Sequence, residues 1–252
     1  MNKNLTKAML TQVTRAISHY KMIEPGDRVV VGVSGGKDSN SLLFCLNQYQ
    51  RRYLKKVPFE IHAVHLDMGL GADLVPLKEL CRRLEMPLTI KETDIAAIVF
   101  DIRKETNPCA LCANLRRGAL HNTAKDLGFN KVALAHHLDD VMETFFMSLL
   151  FNGNMKTFSP KTYLDRSDLT LIRPFVYVTE AQILELLELE SIPVIHNPCP
   201  ANKKTKREEI KDLLKDLSLR YPDIHQKFLT SLNNFDPKNL WPPRDNKKGR
   251  WG

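Results

Sequence analysis

Apolar residues recur at helical spacing across residues 5–23, and the Pro25-Gly26-Asp27 turn ends that run. The period then changes. Arg28-Val29-Val30-Val31-Gly32-Val33 is a nearly unbroken β-branched stretch, as expected of a strand covered on both faces. A helix follows over 40–53, with Leu42, Leu43, Leu46 and Tyr49 on one side. The alternation continues with a strand over 59–66 leading to Asp67, a helix over 71–84 with Pro76 near its start, and a strand over 88–91. Helices over 95–103 and 109–127, a strand over 131–135 and a helix over 139–151 complete it. Strands separated by helical segments predict βαβ units. Right-handed crossovers then place helices on both faces of a doubly wound, mostly parallel sheet, an α/β fold.

After residue 151 the pattern loosens. Residues 152–154 and 156–167 read as loop, and 171–175 as a short edge element, because Pro174 cannot donate to a sheet ladder. Thr179-Glu180 opens a helix to about residue 190. Residues 193–200 form a loop carrying Cys199, and two further helices cover 206–217 and 222–232. The tail from Asp236 has three prolines and five Lys or Arg residues, and is expected to order only on a partner. The expected organisation is an N-terminal helix (1–24), a nucleotide-binding catalytic domain (25–190), a helical extension with the last cysteine (191–235) and a basic tail (236–252).

Composition narrows the class. With 43% hydrophobic and 26% charged residues the chain can bury an ordinary core. No apolar run is long enough to span a bilayer, and residues 1–20 lack a signal-peptide core, so a cytoplasmic protein without membrane contact is expected. A net charge of +8 favours a polyanionic partner. Basic runs at Arg51-Arg52, Lys55-Lys56, Arg82-Arg83 and Arg116-Arg117 are read as solvated faces. The run Lys203-Lys204-Lys206-Arg207 adjoins Cys199 and opens a helix, which suits it to steer an RNA phosphate, and Lys247, Lys248, Arg250 and Trp251 add a basic arm.

Two groups of residues carry chemistry. Ser34-Gly35-Gly36-Lys37-Asp38-Ser39 joins a buried strand to a helix, where backbone N–H groups and the positive helix end converge on an anion. Its glycines permit close approach, Lys37 adds charge and the serines add hydroxyls. The loop is not the common GxxxxGK[ST] phosphate loop. Further on, His136-His137-Leu138-Asp139-Asp140 clusters imidazoles and carboxylates at a strand–helix junction. Asp67 ends a strand at the edge where such sheets bind ligands. Arg173 is placed either to neutralise phosphate or to pair with a surface acid.

The second group is sulfur. Of the five cysteines, Cys45 and Cys81 fall on apolar helix sides and are expected to be core thiols. Cys109-Ala110-Leu111-Cys112 opens a helix, which brings both sulfurs to one face, and the helix end with Arg116 and Arg117 is expected to favour thiolates. Cys199 completes a three-thiolate set, one short of a closed metal site. A redox or persulfide pair at Cys109 and Cys112, or a zinc site completed by His196, are the alternatives these residues leave open.

SGGKDS in its strand–loop–helix setting resembles the pyrophosphate-loop superfamily of ATP-dependent AMP-forming enzymes. Together with CxxC followed by LRRG, HHxDD, RPF and the late cysteine, it resembles the tRNA 2-thiocytidine synthetase family (the TtcA type) over about residues 20–235. The resemblance implies an adenine-nucleotide α-hydrolase-like fold, with ATP held by Ser34, Gly35, Gly36, Lys37, Asp38 and Ser39 and by Asp67, His136, Asp140 and Arg173. It implies Mg2+ on Asp38 and a 4Fe-4S cluster on Cys109, Cys112 and Cys199, with Lys37, Asp38 and the three cysteines as the catalytic set. It further implies thiolation of a tRNA cytidine, cytidine-32 in the family, with free sulfide or a cysteine desulfurase system as donor and a homodimer as the assembly. The alternatives are a thiouridine synthetase using a cysteine persulfide, a pyrophosphate-loop ligase or amidating enzyme, and a non-catalytic iron–sulfur RNA-binding protein.

Overall fold

The computed structural model describes residues 3–103, 108–195, 199, 206–234, 236 and 238 of the 252. The elements run α1 (Lys3–His19), β1 (Arg28–Gly32), α2 (Lys37–Tyr53), β2 (Glu60–Asp67), α3 (Val75–Arg83), β3 (Leu88–Glu92), a π-helical turn (Ala97–Ile102), α4 (Pro108–Asp126), β4 (Lys131–Ala133), α5 (Leu138–Asn152), β5 (Lys161–Leu164), β6 (Leu169–Ile172), α6 (Glu180–Leu189), α7 (Lys206–Arg220) and α8 (Ile224–Asn233).

The strands form one six-stranded sheet in the order β3-β2-β1-β4-β6-β5. Every pairing is parallel except β5 against β6. Strand alternation sorts the core into two layers. Val29 and Val31 of β1 face a cluster built with Met9 and Val13 of α1, Leu42 and Leu46 of α2, Leu77 of α3 and Ile183 of α6. Val30 points the other way, to Leu120 and Ala124 of α4 and Phe129. The sheet is therefore covered on both faces, which is why β1 can be apolar throughout. A third cluster ties α5 to the C-terminal helices through Met142, Ile210 and Leu214.

Chain order reverses between β1 and β4, since β1 leads to β2 on one side while β4 flanks it on the other. A crevice opens at the carboxyl ends of the strands beside such a switch point. The phosphate loop leaves β1 there and the two-histidine segment leaves β4 there.

Several expectations are corrected. Residues 161–164, read as loop, form β5, and the sheet edge is β5 rather than the 171–175 segment. Strand β6 lies inside the sheet between β4 and β5, and Pro174 falls beyond its end at Ile172, so no ladder bond is lost. The first helix stops at His19 because the chain reverses at Lys21 (φ 45°); Met22 and Ile23 reach the core from outside the helix. Helix α3 begins only at Val75, where Pro76 fits a first turn that needs no N–H donor. The basic tail and the Lys203-Lys204 pair lie outside the described residues, apart from Asp236 and Lys238. Among the described residues, no helix is long and apolar enough to cross a membrane.

Candidate active site

Residues 34–39 form a tightly braced turn from β1 into α2. The Ser34 N–H donates to Ser39 Oγ at 3.1 Å, and the Ser39 hydroxyl donates to the Gly36 carbonyl at 3.1 Å. The Gly36 N–H reaches Ser34 Oγ at 3.3 Å. Gly35 sits at φ +83°, and a Cβ there would lie 2.8 Å from Ile195 Cδ1. The Ile195 N–H donates to the Gly35 carbonyl at 2.8 Å, and Asn40 Nδ2 bridges that carbonyl (3.1 Å) to Pro193 (2.8 Å). The segment leading to Cys199 is thus fastened to the phosphate loop itself.

Lys37 Nζ lies 2.6 Å from Asp38 Oδ1 and 3.0 Å from Glu180 Oε1. Burial disfavours its ammonium, but the two carboxylates outweigh burial and its pKa is raised. Glu180 also holds Lys211 of α7 at 3.0 Å. Asp139 joins a second layer of this network. Its Oδ2 accepts the Glu180 N–H at 2.7 Å and its Oδ1 contacts His225 Nε2 of α8 at 2.8 Å. Burial opposes ionisation of Asp139, yet His137, His225 and the Glu180 N–H hold its pKa well below the carboxylate range.

His137 stands between carboxylates. Its Nε2 is 3.6 Å from Asp38 and 3.5 Å from Asp140, and its Nδ1 is 3.5 Å from Asp139. Burial lowers its pKa, but these acids prevail and raise it. Asp140 Oδ2 also accepts the His137 N–H at 3.0 Å, capping α5. Asp38 and Asp140 therefore both approach His137 Nε2, and Arg207 stands 3.6 Å from Asp140; carboxylates gathered beside the loop are hard oxygen donors of the kind Mg2+ takes, once these cations give way.

A cavity of about 310 Å3 opens beside the loop. Ser34, Asp67 and His136 line it together with Arg116 and Arg117 of α4. Burial lowers the His136 pKa to about 4, so this imidazole is neutral at physiological pH, and its Nδ1 is buried without a hydrogen-bond partner. Lys37, Asp38, Asp140 and Arg173 do not line the cavity. Arg173 is buried; it donates to the Ser159 carbonyl at 2.6 Å and lies over the Phe158 ring at 5.0 Å. Among the described residues it has no acid partner, and its Nε is left unpartnered.

Helix α4, which carries Cys109 and Cys112, forms part of the cavity wall. Met68 and Ala113 belong to its wall, and Cys112 Sγ is 4.0 Å from Met68 Sδ. Cys109 is exposed, while Cys112 and Cys199 are half-buried. Both Cys109 and Cys199 act electrostatically on Cys112, so the three sulfurs share one neighbourhood. The Cys112 pKa is raised, because burial outweighs the opposing Arg116; this corrects the expectation that the arginines make a ready thiolate there. Among the described residues no three ligands gather around a single ion. Three neighbouring thiols are one ligand short of a closed four-ligand site, which suits a cluster that keeps one iron without a protein ligand. His196 lies outside the described residues. Cys45 and Cys81 are buried core thiols, the latter pushed up to about 11 by burial.

Sequence reasoning missed Glu180, Lys211 and His225, which ordinary surface-helix patterns conceal. Arg207, expected to steer RNA, is exposed and pairs with Glu143 at 2.8 Å.

A phosphate loop at a switch point, braced carboxylates and a cavity walled by a thiol-bearing helix define a nucleotide-dependent enzyme class with sulfur at its centre. The PP-loop domain pattern matches residues 6–217, and the chain belongs to the PP-loop family and, within it, to the family of the tRNA-cytidine(32) 2-sulfurtransferases. It is 36% identical to the protein of that name from Neisseria meningitidis serogroup C (strain 053442), over 95% of this chain and 75% of that one. Identity to the Pelobacter propionicus protein is 37%, over 90% and 86% of the two chains. Identity to the Shewanella sp. (strain W3-18-1) protein is 38%, over 94% and 76%. The U34-tRNA thiolase NcsA from Methanococcus maripaludis, solved with its 4Fe-4S cluster, shares the fold with a TM-score of 0.73 at 22% identity, over 94% of this chain and 81% of that one.

Proposed function

We propose that this chain is an ATP-dependent tRNA thiolase that converts a cytidine, cytidine-32 by its relatives, to 2-thiocytidine. The supporting observation is the single cavity that has the phosphate loop in one wall and the Cys112-bearing helix in another.

The ring carbonyl oxygen is a poor leaving group at neutral pH. Attack of that oxygen on the α-phosphate of ATP releases pyrophosphate and leaves the oxygen as part of an AMP ester. Sulfide then adds at the ring carbon, and AMP departs with the former carbonyl oxygen. The loop backbone, Ser34, Ser39 and Lys37 bind the departing pyrophosphate, with Lys37 turning from Glu180 to phosphate. Asp38 and Asp140 would hold Mg2+, which would offset phosphate charge. Neutral His136 and Asp67 line the nucleotide side of the cavity, while Arg116 and Arg117 offset phosphate charge. Arg173 keeps Phe158 and His136 in place from behind. Cys109, Cys112 and Cys199 would hold a 4Fe-4S cluster, which would supply an iron without a protein ligand to bind sulfide. The reading extends to a cytoplasmic reaction, a sulfide or cysteine-desulfurase donor and a homodimer, all three from the family resemblance.

The test is metal analysis of protein purified without oxygen. About four irons and four acid-labile sulfides per chain, lost in Cys199→Ala, are expected. Zinc in their place, or no metal with a reactive Cys109–Cys112 pair, would move the assignment to a structural site or a persulfide thiolase.

A further inference from the structure

A second concave surface lies behind the active cavity, between the end of α5, the 152–158 segment and the start of α7. It is a groove of about 480 Å3, lined among others by Met147, Asn152, Lys156, Phe158 and Arg207. Phe158 is shared ground: it lines this groove, and its ring lies 5.0 Å from that of His136, which lines the active cavity. One aromatic–imidazole layer therefore separates the two spaces.

Residues next to the groove's lining in the chain expose apolar and basic groups. Leu150, Phe151 and Met155 expose 56%, 41% and 59% of their surface, a concentration of apolar groups that a chain of this charge seldom leaves in water. The Lys206 ammonium stands 4.6 Å over the Phe151 ring. Residues 144–158 contain no carboxylate, and neither Lys156 nor Lys206 pairs with an acid among the described residues. Arg207 differs: it is paired with Glu143 at 2.8 Å and with Asp140 at 3.6 Å.

We propose that this groove holds the single-stranded RNA flanking the target nucleotide, with Lys156 and Lys206 on phosphates and Phe151 under a base, so that the target enters the cavity past Phe158. The proposal rests on the tRNA thiolase reading and specifies where that substrate lies. Aromatic faces beside unpaired cations are what sequence-tolerant binding of unstacked nucleotides requires. A second protein copy would be served by the apolar groups alone, but the two unpaired lysines would then be buried against a like surface at a cost. An anionic strand satisfies both features.

The experiment measures tRNA affinity of the full-length protein across a salt series, with melting temperature as the check on folding. The parent, Phe151→Ala and the double variant Lys156→Ala/Lys206→Ala are compared, with Lys156→Arg/Lys206→Arg as the conservative control. The double alanine variant is expected to bind at least tenfold more weakly, with its salt slope reduced by about 2, while the arginine pair restores both. Phe151→Ala is expected to weaken binding with no change in slope, since stacking releases no counterions. Folded variants with parental affinity would overturn the groove while leaving the thiolase reading intact. Loss of self-association with unchanged RNA affinity would assign the face to a second copy and overturn it equally. A parent that binds no tRNA would remove the thiolase reading and the groove with it.

Discussion

The ammonium of Lys37 lies 3.0 Å from the Glu180 carboxylate, which comes from the first turn of α6. The lysine of the phosphate loop is thus engaged by an anion, and ATP phosphate must compete with that carboxylate. Lys211 stands 3.0 Å from the same Glu180 and is ready to retain it when Lys37 turns to phosphate.

Glu180→Gln is therefore expected to tighten ATP binding about threefold to tenfold, consistent with the ~1 kcal/mol of a half-buried ion pair. Equilibrium binding of ATP to both proteins measures this. Weaker binding in the variant would show instead that Glu180 holds Lys37 in its binding position.

Gly35→Ala is expected to be costly twice over. The positive φ of +83° costs a non-glycine residue about 1–2 kcal/mol, and the new Cβ would stand 2.8 Å from Ile195 Cδ1. Gly26 is the internal control: its φ is +86° with nothing within 4 Å of a Cβ. Gly35→Ala should lower Tm by about 4–8 °C and abolish ATP binding, and Gly26→Ala should show only the smaller backbone cost. Equal losses in the two variants would mean that the Ile195 contact does not matter.

Acidification tests the burial of His136. Burial places its folded pKa near 4, below the unfolded value, so at pH below about 6.5 the unfolded chain takes up a proton that the folded one does not. Its contribution to stability is complete above pH 6.5 and is lost as pH falls toward 4. His137 works in the opposite direction, since its pKa is raised. The comparison is therefore between the parent and His136→Gln, in urea unfolding at pH 7 and pH 5. The parent should lose about 1–2 kcal/mol more than the variant over that interval. Parallel losses would show that His136 is not kept neutral by the fold.

Much of the architecture was legible because the signals were local. The valine run of β1, the SGGKDS turn and the CxxC at a helix start each carry their meaning within a few residues. What stayed hidden depends on distance along the chain. Lys161–Leu164 is a four-residue strand among polar neighbours, with too few alternations to outweigh the loop signals around it. Asp139 looks like a helix cap in sequence, yet it accepts the N–H that opens α6 and contacts His225 of α8. Arg207 sits in a basic run that reads as a solvated face, and only the packing of α7 on α5 turns it toward Glu143. Cys112 shows the limit of charge counting: Arg116 favours its thiolate, but burial dominates.

If one cavity couples ATP cleavage to sulfur insertion into tRNA, nucleoside mass spectrometry will show it in tRNA incubated, without oxygen, with the protein, ATP, Mg2+ and sulfide. 2-Thiocytidine is expected only when ATP is present, in step with AMP and pyrophosphate, and is expected to be absent with Lys37→Ala and with Cys199→Ala. Thiolation that persists in Lys37→Ala, or ATP cleavage to AMP with no sulfur entering any tRNA base, would contradict it.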